Sequence, residues 1–240
     1  MSERQQKQRN RELINAVIGG DLDDIQYALD AGGELTAVDR LKRPLLCIAA
    51  TQGQPGSVDV LIRAGADVNG CEQEQRYSPL HSATIFGNLE AAKSLIAAGA
   101  YVASVNHEQA TPLHFVAHAA RNRRELVDLL IQKGANIQAP DKDGNTPLHA
   151  AARHSNGEMA QALLAQGADP ECRNLKGKKP SEVFAKFRSL DPGTLDARDV
   201  FQSYERSKQL AQVAHDSRPA GAELANVDEC QARRGRGRFM

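Results

Sequence analysis

The chain has 240 residues, and its 30 Lys and Arg balance 30 Asp and Glu, so the formal net charge is zero. This balance excludes a generally basic nucleic-acid binder and a polyacidic tail protein. With 41% apolar and 25% charged residues, the chain is too apolar to be wholly disordered, and the 4% aromatic content predicts a core of Leu, Ile, Val and Ala.

The beginning of the chain is polar. Residues 1–12 lack the apolar stretch of a signal peptide, and no apolar run reaches the roughly 18 residues of a membrane span. We therefore expect a cytoplasmic chain without a membrane span. The four cysteines are far apart in the sequence, so we expect reduced thiols, with disulfides as the alternative.

Two sequence markers recur in phase with a period of about 34 residues. An X-Pro-Leu step occurs at 43–46, 78–81, 111–114 and 146–149, and a weaker form, KPSE, follows at 179–182. A Gly-Ala pair recurs at 65–66, 99–100, 134–135 and 167–168. Pro with a preceding Ser or Thr is typical of a helix start, and Gly is typical of a helix end. Each unit is therefore predicted to be a pair of helices.

These units resemble the ankyrin repeat family, whose signature is Thr-Pro-Leu-His-x-Ala. The best matches are residues 143–170, with TPLHAAA, and residues 76–100, with SPLHSAT. The resemblance covers about residues 10–188. It implies an all-α solenoid of stacked helix pairs joined by hairpin loops, in which each unit covers the apolar face of its neighbour.

In chain order, the predicted units are 10–38, 39–73, 74–106, 107–141, 142–174 and 175–188. The first and last lack the full signature and are predicted to be caps. In the second unit, Leu46 stands where His is usual, and one extra residue is expected at Pro55-Gly56. In the fourth unit, extra residues near 120–123 are expected to lengthen the loop between the paired helices.

Two segments follow the repeats. Apolar residues at near-helical spacing predict an amphipathic helix within 189–215 that packs on the last repeat; a helix offered to a partner and disorder are the alternatives. Residues 216–240 are expected to be a disordered Arg-rich tail ending in RRGRGRFM. Charge alone would let that tail contact RNA, which is the alternative function, although nucleic acid is not the partner we expect.

No pattern for chemistry stands out. His81, His114 and His149 share one repeat position, and units about 10 Å apart cannot bring one side chain each to a common metal ion. We expect these histidines to form hydrogen bonds between repeats. Cys47 is expected in the core, whereas Cys71 and Cys172 are the candidates for a reactive thiol. The prediction is a chain without enzymatic activity, cofactor or bound metal.

The resemblance implies that partners bind the concave face, which consists of hairpin tips and exposed first-helix positions. Residues there that the fold does not dictate are the candidate binding residues. They are Arg40, Lys42, Glu74, Tyr77, Ile85, Phe86, His107, Glu108, His118, Lys142, Asp143, Asn145, Arg153, His154, Lys176 and Lys178.

Two features of this set are informative. Tyr77, Ile85 and Phe86 predict an apolar patch in the third unit, unless a neighbouring insertion covers Phe86. Basic residues from the fifth unit onward predict attraction of an acidic partner, the alternative being an ordinary solvated surface. We therefore expect a monomeric protein-interaction module that serves as an adaptor, an inhibitor or an effector.

Overall fold

The computed structural model describes residues 2–184 and 195–216, with side chains up to Val213. These ranges contain eleven α-helices. They are α1 (Glu3–Gly19), α2 (Leu22–Asp30), α3 (Leu45–Gln52), α4 (Pro55–Arg63), α5 (Pro79–Ile85), α6 (Leu89–Ala97), α7 (Pro112–Phe115), α8 (Arg123–Gln132), α9 (Pro147–Arg153), α10 (Gly157–Ala165) and α11 (Ala197–Asp216).

The first ten helices form five antiparallel pairs that stack in two layers. Helices α1, α3, α5, α7 and α9 contact one another in sequence, and α2, α4, α6, α8 and α10 form the second layer. Within the described ranges the only β-structure is one isolated bridge, between Val38 and Pro44. The predicted all-α architecture of stacked helix pairs with hairpin loops is confirmed.

The helix boundaries follow the predicted markers. In the third unit, the Ser78 hydroxyl accepts a hydrogen bond from the N–H of His81, and Pro79 begins α5. After α6, Gly99 has a φ of +94°, the left-handed conformation that glycine adopts without strain. Small side chains such as Ala83 and Ala92 are fully buried between the layers, which lets the helices approach closely.

The first unit begins earlier than the sequence analysis predicted. Helix α1 starts at Glu3 rather than near residue 10, because Ser2 and Gln5 form a capping box. The Ser2 hydroxyl accepts from the Gln5 N–H, and the Gln5 side chain accepts from the Ser2 N–H. Leu13 and Val17 are the buried residues of this helix, so its first two turns are a polar extension.

The second unit corrects the predicted register. Pro44 is the N-cap of α3 rather than its first residue, so Leu45 occupies the position that Pro79 has in α5. Leu45 and Gly65 are then 20 residues apart, as are Pro79 and Gly99. The predicted insertion at Pro55-Gly56 is therefore wrong, and these residues form the first turn of α4.

The fourth unit contains the predicted insertion. Helix α7 ends after four residues, a 3₁₀ turn spans Val116–His118, and the added residues form the connection to α8. Asn122 in this connection has a φ of +54°, and its side-chain amide donates to the carbonyl of Gly87 in the preceding unit. The insertion is therefore attached to its neighbour.

The described part of the sixth unit consists of its tip and a single helical turn. It starts as a 3₁₀ turn, Pro180–Glu182, in which Glu182 takes the place of the usual His. The Glu182 carboxylate accepts a hydrogen bond from the N–H of Lys179, as the His ring nitrogen does in the complete units. Residues 185–188 of the predicted unit lie outside the described residues.

The described residues up to Val200 form one compact unit, and the described residues from Phe201 form a second. In the first, the carbonyl of Leu195 accepts from the N–H of Gly157, where a Cβ on Gly157 would approach that oxygen to 2.3 Å. In the second, the apolar side chains of Leu210 and Val213 are exposed by 71% and 62%.

Helix α11 overlaps the range 189–215 that was predicted to contain a helix and ends one residue beyond it. Residues 189–194 and the predicted tail after 216 lie outside the described ranges. No helix that the structure describes has both the length and the hydropathy needed to cross a membrane.

Candidate functional site

The hairpin tips owe their shape to one side chain each. In four tips an Asp or Asn accepts hydrogen bonds from the N–H groups two and four residues later, at 2.8–3.0 Å, which closes the turn. These residues are Asp39, Asn106, Asp141 and Asn174. Because these side chains bind the backbone of their own tips, the other residues of each tip are the candidates for contact with a partner.

Neighbouring tips are joined by backbone hydrogen bonds, and we call this arrangement the tip row. The N–H of His107 donates to the carbonyl of Gln75 at 3.1 Å, and the N–H of Lys142 donates to that of Glu108 at 2.8 Å. The N–H of Leu175 donates to the carbonyl of Asp143 at 3.0 Å. Tips 72–77, 106–110, 141–145 and 174–178 therefore form one continuous edge.

The predicted bonds between repeats are present at all three signature histidines. Nε2 of His81, His114 and His149 lies 2.9–3.1 Å from a carbonyl oxygen of the next tip. In each, Nδ1 accepts the backbone N–H of the capping Ser or Thr three residues earlier, so Nε2 carries the proton and donates. Each neutral imidazole therefore connects its helix start to the following unit.

Cys47 takes the histidine position in the second unit. Its thiol lies 3.7 Å from the carbonyl oxygen of Tyr77, the counterpart of the Ala110 carbonyl that His81 binds. The side chain is 1% exposed, as predicted for a core residue, and burial raises its pKa to about 12. The residue is therefore a neutral thiol that replaces an imidazole in this contact.

Four ring-bearing side chains form a continuous line across the third, fourth and fifth units, which we call the aromatic strip. Tyr77 meets Phe115 edge to face, with ring centroids 5.3 Å apart. Phe115 stacks on His118 at 5.7 Å, and His118 lies 4.1 Å from His154. Such distances are typical of favourable ring contacts, so the strip is a preformed surface of π faces.

The strip is partly open to solvent. Tyr77 and Phe115 are half-buried, while His118 and His154 are exposed at the ends of their first helices. Partial burial lowers the pKa of His118, and the charge of Arg153 lowers it further. Partial burial, His118 and Arg153 together lower the pKa of His154 to about 4. Both imidazoles are therefore neutral at neutral pH and can accept a partner's ring or donor group.

Phe115 was absent from the predicted site. It follows the TPLH signature directly, and the equivalent residues in the third and fifth units are Ser82 and Ala150. The position between His and Ala of the signature is therefore the signal that could have identified it, because only the fourth unit has an aromatic residue there.

The predicted grouping of Tyr77 with Phe86 is replaced. They flank opposite ends of α5, a helix whose seven residues rise about 10 Å, and Tyr77 contacts Phe115 instead. Ile85 is half-buried. Phe86 is 49% exposed, so the insertion in the fourth unit does not cover it.

The other predicted residues divide by role. Arg40, Lys42, Glu74 and His107 are exposed on their tips. Asn145 is only 5% exposed, and its amide group bonds Asp141 and Asn174, so it supports the tips rather than presenting a contact surface.

One pair of predicted residues connects two tips. Glu108 and Lys142 form an ion pair with a 2.5 Å N–O separation, and both side chains are about half exposed. An exposed pair of this kind contributes about 0–1 kcal/mol, so its effect on stability is small.

Among the described residues, the thiols and the metal-binding residue types do not form a reactive cluster. Cys71 is exposed, its thiol donates to the carbonyl of Asn69, and burial raises its pKa. Cys172 is half-buried. In the part of the chain that the structure describes, no group of three or more His, Cys, Asp and Glu side chains is placed to hold a metal ion.

Comparison with known proteins agrees with this architecture. The family model described as "Ankyrin repeats (3 copies)" matches residues 13–106 and 101–174. The chain therefore belongs to the ankyrin repeat family. Ankyrin repeats are in general protein–protein interaction modules.

Similar proteins include three with long matches. The nuclear factor NF-kappa-B p105 subunit of Gallus gallus is 27% identical over 67% of this chain, and inversin of Mus musculus is 27% identical over 75%. The putative palmitoyltransferase ZDHHC13 of Danio rerio is 32% identical over 78%. The matches span only 17%, 17% and 29% of those relatives, so the likeness concerns their matching segments.

Proposed function

We propose that this chain is a non-catalytic protein-interaction module that binds a partner on the face formed by the first helices and the hairpin tips. The observation that carries the proposal is the aromatic strip, in which Tyr77, Phe115, His118 and His154 join three units through ring contacts of 4.1–5.7 Å. Partly exposed rings near the centre of a surface are the usual anchors of protein interfaces.

The tip row supports the same conclusion. Because backbone bonds hold each tip against the next, a partner that binds along this edge has little loop motion to restrict. A standard interface buries about 800 Å² on each partner, an area that five stacked units can supply.

The mode of action we propose is recognition by a preformed surface, with no bond made or broken. The module would act in the cytoplasm as a monomer and serve as an adaptor, an inhibitor that masks another protein, or an effector. The buried thiol of Cys47 and the engaged signature histidines support a structural use of these groups.

Co-purification from the native source tests the proposal. The Tyr77→Ala/Phe115→Ala variant is compared with wild type, and Tyr101→Ala is the matched control because Tyr101 is a 67% exposed aromatic residue outside the strip. We expect the double variant to weaken binding of the captured protein by at least about 2 kcal/mol, or about 30-fold.

Circular dichroism melts of all three proteins show whether the variants keep the fold. A partner that binds wild type and a folded double variant equally well would refute the strip as the binding surface. Loss of binding in the Tyr101→Ala control would move the interface to the segment that follows the second helix of the third unit.

A further inference from the structure

The last tip of the tip row has a composition unlike the others. Leu175 is 79% exposed, the largest value among the exposed apolar side chains of the described residues. Lys176 and Lys178 beside it are also exposed. An exposed leucine between cations at the end of a rigid edge combines an apolar contact with an attractive charge.

The lysines of this tip have no acidic partner among the described ion pairs. The nearby acids Glu171 and Glu182 pair with Lys179 and Arg173, at 2.5 and 4.0 Å. The backbone carbonyl of Lys178 binds His149, but its side chain is in no ion pair of the described chain. The charge of Lys176 and Lys178 is therefore available to a partner.

The preceding tip does not cancel this charge. Asp141 accepts two backbone N–H bonds and the amide of Asn145, so its carboxylate is occupied. Glu108 is paired with Lys142. Asp143 is the one neighbouring carboxylate without such a bond in the described chain, and it is half-buried.

The first helix of the fifth unit adds another cation. Arg153 is exposed at the end of α9, one helical turn beyond His149, and it is in no ion pair of the described residues. It also adjoins the aromatic strip, because the next residue, His154, contacts His118. Positive charge therefore begins where the strip ends.

We propose that the partner contributes an acidic segment with at least one apolar side chain, which contacts Leu175 while its carboxylates face Lys176, Lys178 and Arg153. This inference rests on the proposed function and specifies the chemistry of the partner. The strip and the last tip are up to three unit spacings apart, roughly 30 Å, which a dozen extended residues can span.

The observations favour a protein segment over a nucleic acid. Leu175 offers no contact that a phosphate backbone uses, and carboxylates such as Glu74 and Asp143 lie on the same tip row. A continuous polyphosphate would meet these negative charges, whereas an acidic peptide can place neutral residues opposite them.

Selection of displayed random peptides of about 12 residues on the full chain tests the inference, since the partner is not needed. The peptides that bind are synthesised and measured against wild type, Lys176→Glu/Lys178→Glu and a control, Lys133→Glu/Lys208→Glu. The two control lysines are also exposed and outside the described ion pairs. Each variant replaces two lysines by glutamate, so both change the net charge equally.

We expect the selected peptides to be rich in Asp and Glu and to contain Leu, Ile or an aromatic residue. Their affinity should fall at least about tenfold for Lys176→Glu/Lys178→Glu and less than about twofold for the control. Binding should also weaken as salt rises, because these charges are exposed.

Four outcomes would overturn the inference. If the selected peptides have no acidic excess and lose binding to Tyr77→Ala/Phe115→Ala, the acidic partner is refuted but the proposed function stands. Peptides that bind Lys176→Glu/Lys178→Glu and Tyr77→Ala/Phe115→Ala as tightly as wild type would refute both the acidic partner and the proposed function. The same conclusion would follow if no peptide were selected. Tighter binding of oligouridine through the same lysines would show that the site recognises phosphate.

Discussion

His114 and Asn145 are joined across two units by a hydrogen bond of 3.0 Å from Nε2 to the backbone carbonyl oxygen. The same ring accepts the N–H of Thr111 through Nδ1 at 3.1 Å. Both nitrogens of a 4% exposed side chain are therefore occupied. One residue thus caps its own helix and attaches the following tip.

Replacing this side chain should destabilise the array. We expect His114→Ala to lower the free energy of unfolding by about 2–4 kcal/mol, because it leaves buried partners unsatisfied and a cavity between units. Urea denaturation followed by circular dichroism measures the loss. His107→Ala, at an exposed histidine of the preceding tip, is the control and should change stability by less than about 0.5 kcal/mol. Equal effects of the two variants would contradict the proposed role.

Stability should depend on pH through His81. Burial lowers the pKa of this imidazole to about 4 from 6.5, so the folded protein disfavours the protonated form. The neutral imidazole stabilises the folded state fully above pH 6.5. This stabilisation decreases as pH falls toward 4, and the free energy of unfolding falls by about 3 kcal/mol over that interval. Burial also lowers the pKa of His114 and His149, so these residues too make the free energy of unfolding decrease as pH falls.

Urea midpoints between pH 7.5 and 4.5 test this dependence. His81→Gln should be less stable than wild type at pH 7.5 but should lose less stability on acidification, because the titrating group is gone. A stability that increases as pH falls through this interval would contradict the prediction.

Replacing Ser155 by glycine should stabilise the protein. Its φ is +51°, at the position where Gly53 and Gly87 have +70°, and its buried hydroxyl has no hydrogen-bond partner among the described residues. Left-handed backbone costs a non-glycine residue about 1–2 kcal/mol, so Ser155→Gly should stabilise the protein by about 1 kcal/mol.

The reciprocal change provides the comparison for Ser155→Gly. A Cβ at Gly87 would meet the carbonyl oxygen of Arg121 at 2.5 Å, so Gly87→Ser should destabilise. Thermal melts of both variants measure the two signs, and a lower midpoint for Ser155→Gly would refute the argument.

The cysteines should differ in accessibility. Cys47 is 1% exposed and burial raises its pKa to about 12, whereas Cys71 is exposed. We expect iodoacetamide at neutral pH to label Cys71 in the native protein and Cys47 only when the array opens. Peptide-resolved mass spectrometry with and without urea distinguishes the sites. Native labelling of Cys47 at the rate of Cys71 would show that the second unit is not closed over it.

The repeat markers predicted the helix pairs because Pro and Gly have strong local preferences at helix ends. They could not determine the register of the second unit, since the sequence RPLLC places a leucine at the leucine position of the signature in either register. The N-cap position of Pro44 and the contact from Cys47 to the carbonyl of Tyr77, 30 residues away, distinguish the two. The capping box of Ser2 and Gln5 was visible in the sequence but lay outside the repeat pattern.

The candidate site was predicted in part for a similar reason. Exposed tip residues follow from the repeat position, which is why the exposure of Lys176 and Lys178 could be predicted. The meeting of Phe115 with Tyr77, and of His118 with His154, depends on side chains of adjacent units and on the 3₁₀ turn before the insertion. One unit considered alone does not contain that information.

The tip row has a consequence for how this surface can change over time. The backbone hydrogen bonds between its tips, from Gln75 through Leu175, use N–H and carbonyl groups and no side-chain atoms. A substitution at His107, Lys142 or Leu175 therefore changes the side chains exposed on the tip row while leaving its backbone hydrogen bonds in place. Specificity can drift at these positions with little penalty in folding, so the same framework can acquire new partners by small steps.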